Sequence, residues 1–133
     1  MRKSIIEELE MSEDFSKLPP QVQQRLLRLQ QLQQTLQAVL TQKQQLEFEL
    51  NEVDQALSEL GKLTDDATIY KSIGALLVKS QRATVTIELN ERKELLNTRI
   101  GVLGKQEERL RSQVKELQTK LQQDLRPVSP PPS

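Results

Sequence analysis

The 133-residue chain has the length of one ordinary domain, yet aromatic residues make up 2% of it and charged residues 29%. So little aromatic volume argues against a compact globule, whose core normally leans on Phe, Tyr and Trp. Nineteen basic and nineteen acidic residues cancel, and His and Cys are absent; this excludes a global field for nucleic acid or anionic membranes, and with it disulfides, thiol nucleophiles and most zinc sites.

Residues 1–17 are polar and acidic, with an amphipathic trace through Ile5, Ile6 and Leu9, and read as a flexible N-terminal lead. Met11 could serve as an alternative start, because the pattern that follows needs nothing upstream of it. The opening has two adjacent apolar residues before acids intervene, which does not make a secretory signal. No apolar run approaches the roughly 18 residues of a membrane span. The expected location is the cytoplasm, with no membrane partner.

Pro19-Pro20 marks a helix start, since proline fits a first turn whose N–H lacks a partner anyway. From Gln21 to Leu60 apolar residues return every three and four positions. One column is Val22, Leu29, Leu36, Lys43, Leu50, Leu57; its companion is Arg25, Leu32, Val39, Leu46, Val53, Leu60. Sevenfold spacing keeps such columns on one seam of a helix. Gly61 stands where a left-handed C-cap is expected. Forty helical residues span roughly 60 Å, a length few globular domains can use.

A strand pair follows within residues 67–80. Thr68 to Ile73 and Leu76 to Lys79 flank Gly74-Ala75, and glycine at the first central position suits a two-residue type II′ turn. In that register Ile73 faces Leu76 and Lys71 faces Val78. Ile69, Ile73, Leu76 and Val78 then share one face, with Tyr70 and Leu77 on the other. A lone hairpin is marginal in water, and apolar side chains on both faces with two open edges ask for sister strands. This is the strongest oligomerisation signal in the chain.

A second helix is expected from Thr84, as N-cap, to Leu125. Its columns are Leu89, Leu96, Leu103, Leu110, Leu117 and Thr86, Lys93, Ile100, Glu107, Val114, Leu121. Gly101 and Gly104 each cost roughly 1 kcal/mol relative to Ala, tolerable within a long helix. Arg126-Pro127 ends it, and residues 126–133 read as a Pro-rich disordered tail; Pro127 to Pro130 match PxxP only formally. The fold class is therefore mainly α: a long antiparallel two-helix coiled coil over 20–60 and 84–125, with one hairpin at the connecting end that joins an oligomeric β-barrel. Both termini then emerge at the far end, roughly 60 Å away by the helix rise.

No catalytic constellation, phosphate loop or cofactor motif is present, so an enzyme ranks last among the functions. Carboxylate runs such as Glu91 to Glu94 read as solvated helix surface, and Lys43 and Glu107 in the seams as register-setting charges. The far end is more informative. Eleven glutamines lie between Gln21 and Gln45, with only Arg25, Arg28 and Lys43 as charges, and Leu26, Leu27 and Leu40 add to the strict seam. Leu117, Leu121 and Leu125 close the second helix there. A seam at its terminus has no next layer, so a wet, weakly charged apolar groove is expected, able to hold many hydrophobic segments. Leu26 and Leu27 could instead widen the stripe against a neighbouring helix.

The sequence also resembles the prefoldin family, specifically its archaeal beta-type subunits. The residues that carry the likeness are Leu18-Pro19-Pro20-Gln21, Gln42 to Glu47, the segment Tyr70 to Lys79, Glu91 to Glu94, and Lys105 to Leu110. It spans roughly residues 18–125, leaving the lead and tail outside. The resemblance implies a hexamer of two alpha-type and four beta-type subunits, in which hairpins join as a double β-barrel and coiled coils project like tentacles. Their tips would hold non-native polypeptides and pass them, without ATP or cofactor, to a group II chaperonin. On this chain the oligomer interface would be Ile69, Tyr70, Ile73, Leu76, Leu77 and Val78. Tip contacts would be Val22, Leu26, Leu29, Leu117 and Leu121, with Lys115, Lys120 and Arg126 as candidates for chaperonin docking. The alternatives are a static coiled-coil scaffold or tether and, more remotely, an arm for structured RNA, which lacks a sustained basic stripe with aromatics.

Overall fold

The computed structural model describes residues 15–125. A 3-10 turn at Phe15–Lys17 precedes α1 (Pro20–Gly61); β1 (Ile69–Ile73), β2 (Leu76–Ser80) and α2 (Arg82–Leu125) follow. The architecture is two long antiparallel helices with a β-hairpin between them, the mainly α class expected. By its contacts the chain divides into two compact units, residues 1–39 with 106–133 and residues 40–105. The readings placed on Met11, Arg126 and the PxxP tail lie outside the described residues.

Helix α1 begins as its prolines demand. The Pro19 carbonyl accepts from the Val22 and Gln23 amides at 2.9 and 3.1 Å, and Pro20 has no N–H to leave orphaned. Phe15–Lys17 departs from the expectation of a flexible lead. The Gln23 side-chain amide donates to the Ser16 carbonyl (3.3 Å) and the Leu18 carbonyl (2.9 Å), tying the preceding segment to the helix's first turns.

Two caps differ from expectation. Gly61 is the last residue of α1 and is not left-handed, because Gly74 alone among the described residues has positive φ. The end tightens instead through Lys62 and Leu63 amides bonding to the Glu59 and Leu60 carbonyls at 3.1 and 3.2 Å. Thr84 is not an N-cap, since α2 starts two residues earlier at Arg82. Arg82 sets that start through tertiary contacts: Nε donates to the Leu60 carbonyl at 2.7 Å and Nη1 to Asp65 at 2.8 Å. A charged donor on a helix's terminal carbonyl outweighs the weaker local preference for a threonine cap.

The unit formed by residues 40–105 carries the hairpin. Gly74 has φ 58° and Ala75 does not turn positive, as a type II′ turn requires. The register pairs Ile69 with Ser80, Lys71 with Val78 and Ile73 with Leu76, as the turn chemistry predicts. Val53, Leu60, Ile69, Leu96 and Leu103 are the buried apolar residues of this unit. Around them, Arg92 chelates Glu49 (Nε to Oε1 2.8 Å), Lys93 meets Asp54 at 2.8 Å, and Lys71 meets Glu88 at 2.6 Å. Partly exposed pairs like these add only tenths of a kcal/mol each, so they set register more than stability.

Candidate functional site

The unit formed by residues 1–39 and 106–133 holds the expected tip contacts. Val22, Leu26, Leu29 and Leu121 form one buried cluster, with Leu18, Val114, Leu117 and Leu125 packed against it. Leu29 is 1% exposed and Leu121 is fully enclosed. The open groove expected from the sequence is therefore closed in this chain. Its reason is a layer the heptad count did not supply: Leu18, held in place by the Gln23 bond to its carbonyl, seals the seam end. Arg25 and Asp124 reinforce it with a direct ion pair between the helices.

The two leucines that exceeded the strict seam separate. Leu26 joins the cluster, whereas Leu27 faces outward at 53% exposure. Of the five residues expected to touch a client, the structure brings all five together, with four buried and Leu117 half-buried. Among the described residues, no buried polar or charged residue is present, so nothing directional sits inside this aliphatic cluster.

The hairpin is the reverse case. Ile69 alone of the six expected interface residues is buried; Tyr70, Ile73, Leu76, Leu77 and Val78 are exposed, Leu76 and Leu77 at 68% and 73%. Both strands keep a free edge, because the described sheet has two strands only. Fully burying a leucine from water is worth roughly 1.5–3 kcal/mol, so this surface gains heavily from any apolar cover.

Off-seam residues were less visible in the sequence. Phe48, Ile87, Leu95 and Val102 are exposed, and Leu46, Val102 and Leu103 line a shallow depression of about 240 Å³ rimmed by Gln42, Thr98 and Arg99. Ile87, Leu95 and Val102 fall at spacings of eight and seven, which a search for the seam columns passes over. The seam charges Lys43 and Glu107 are each partnered on their own helix, by Glu47 at 3.9 Å and Arg111 at 3.0 Å. Lys120, a candidate for chaperonin contact, is exposed and lies 3.5 Å from Glu116; Lys115 is also exposed. In the loop between α1 and β1, the Thr64 hydroxyl donates to Asp66 and holds its carboxyl below the ordinary value, helped by a backbone hydrogen bond. Among the described residues no cluster of His, Cys, Asp or Glu could hold a metal, and no helix is long and apolar enough to cross a membrane.

This geometry has close counterparts. The family model for a prefoldin subunit matches residues 23–127. The chain is similar to prefoldin subunit beta of Archaeoglobus fulgidus, at 50% identity over 113 residues, 85% of this chain and 97% of that protein. It is 46% identical to the corresponding subunit of Methanothrix thermoacetophila, over 85% of this chain and 94% of that one. The crystal structure of the prefoldin beta subunit from Thermococcus strain KS-1 matches with a TM-score of 0.76 and 44% identity, covering 83% of this chain and 96% of its counterpart.

Proposed function

Because the chain belongs to the prefoldin family as a beta-type subunit, a family of non-enzymatic chaperones, we propose that it is an ATP-independent holdase. It works as one of four beta-type subunits with two alpha-type subunits, grips non-native polypeptides at its coiled-coil tips, and passes them to a group II chaperonin in the cytoplasm. The observation that carries assembly is the hairpin, apolar on both faces and open at both edges. Several weak sites in one assembly raise effective concentration, so each can let go while the whole keeps its client.

The closed tip gives capture a specific form. Val22, Leu26, Leu29, Leu117 and Leu121 reach a client only when the seam end parts. An all-aliphatic end parts without orphaning a buried hydrogen bond, so the client's apolar groups replace those of the partner helix at little net cost. A reversible clamp tests this. With no native cysteine, Arg25→Cys and Asp124→Cys joined by a bis-maleimide with a reducible disulfide spacer bridge the gap that the arginine side chain now spans. The crosslinked assembly should lose suppression of aggregation of a chemically unfolded protein and regain it when the spacer is reduced. Unchanged suppression with the clamp closed would overturn the tip assignment.

Burial of four of the five tip residues also favours a second reading, a static scaffold or tether. Truncating both helices' outer heptads separates the two, since a scaffold held by its hairpin keeps its partner binding and a holdase does not keep its clients.

A further inference from the structure

Of the residues that make up the sealed cluster of the first unit, Leu18 alone lies outside both helices. It precedes α1, which starts at Pro20. It is half-buried, where Leu29 and Leu121 beneath it are enclosed. The seam end is therefore covered by a side chain that no helix holds in place.

Its fastening is light. Backbone hydrogen bonds to α1 begin at the Pro19 carbonyl, and neither Pro19 nor Pro20 has an N–H to carry them further back. One side-chain nitrogen ties the segment down: Gln23 Nε2 donates to the Leu18 carbonyl at 2.9 Å and to the Ser16 carbonyl at 3.3 Å. The proline that follows restricts Leu18 to extended backbone, so it can lift away without unwinding α1. What it would leave is a purely aliphatic surface, since no polar or charged residue is buried among the described residues.

We propose that Leu18 is a tethered stand-in for a client side chain, positioned by Gln23, and that this pair sets the affinity of the tip. The inference rests on the tip reading above and names the residues that tune it. A tethered group competes at high effective concentration. A client binds only in the fraction of molecules whose stand-in has lifted, so its apparent affinity falls by that fraction. A lone leucine on a folded protein matches Leu18 but lacks the tether, and loses. An unfolded segment that brings several aliphatic side chains at once displaces it.

The probe is reduced, carboxymethylated lactalbumin, which stays unfolded; its binding to the full-chain assembly is followed by fluorescence anisotropy. Gln23→Glu keeps the side chain's length, loses the donor and suits the start of a helix, so α1 should stay folded by circular dichroism. It should tighten binding about fivefold, the weight of one neutral hydrogen bond near 1 kcal/mol. Leu18→Ser, which removes the stand-in itself, should tighten binding at least as much. Gln23→Arg keeps a donor and should leave the affinity near its starting value. A client-free arm uses the single thiol of Leu18→Cys in a chain with no native cysteine. Adding Gln23→Glu should speed its labelling by a maleimide about fivefold, for the same lost bond. Weaker binding by Leu18→Ser would make Leu18 a client contact and overturn the proposal. So would faster labelling without tighter binding, or a labelling rate indifferent to Gln23. Those outcomes leave the holdase reading standing, whereas failure of the unaltered assembly to bind the probe sinks both.

Discussion

The same aliphatic residues meet opposite fates in two regions of this molecule. In the unit of residues 1–39 and 106–133, Leu26, Leu29 and Leu121 are sealed against one another. In the hairpin, Leu76 and Leu77 stand in water. The difference is geometric. A helix can bury a stripe against one partner helix, and a single added residue, Leu18, closes its end. A two-stranded sheet has two faces and two edges, and packing its base on Ile69 leaves the rest uncovered. Completeness within one chain is thus what separates the two regions, and hydrophobicity is not.

The sharpest way to break that contrast is to make the hairpin polar. Leu76→Asp with Leu77→Asp should lower association by several orders of magnitude, since each buried leucine is worth roughly 1.5–3 kcal/mol, while leaving the helices folded. Native mass spectrometry with circular dichroism reads both. Loss of helix content in the dissociated chain would mean that the hairpin serves the fold of the single chain after all. Next in size, Leu29→Ala or Leu121→Ala at the sealed end should cost roughly 2–5 kcal/mol, read by urea denaturation, with hydrogen exchange rising first in residues 20–39 and 106–125. Assembly through the hairpin should survive.

Smaller changes refine the picture. Arg82→Ala removes charged bonds to the Leu60 carbonyl and to Asp65 and should cost roughly 1.5–3 kcal/mol, with exchange increasing at the end of α1. Gly101→Ala or Gly104→Ala should raise stability by roughly 1 kcal/mol each, because an added Cβ meets nothing within 4 Å at either position. A thermal melt detects that gain. The least effect belongs to Asp66. A carboxyl held below its ordinary value contributes stability above its unfolded pKa and loses it as pH falls through the folded one. Asp66→Asn should therefore lose that increment at neutral pH and flatten the acid limb of a stability–pH profile, the two chains converging as pH falls; because the group is fully exposed, the effect is small.

Much of this was legible in sequence because it depends on period and on one residue. Sevenfold columns place Val22, Leu29, Leu96 and Leu103 on the seam, and Gly74 fixes the turn and hence the register of every hairpin pair. What escaped depends on contacts remote in sequence or on end effects. Arg82 starts α2 by reaching the last turn of α1, a contact no local cap rule contains. The sealing of Val22, Leu26 and Leu121 depends on where Leu18 lands, and that depends on the Gln23 side chain. Leu26 and Leu27 are neighbours of identical chemistry, and the turn of about 100° per residue puts one inside and the other out.

The bare hairpin also bears on how much of this protein a cell can make. A copy without sister strands carries unpaired backbone and uncovered leucine, the features that promote wrong associations at high concentration. Synthesis would then have to match that of its partners, and surplus copies would become substrates for the degradation and rescue systems that clear misfolded chains.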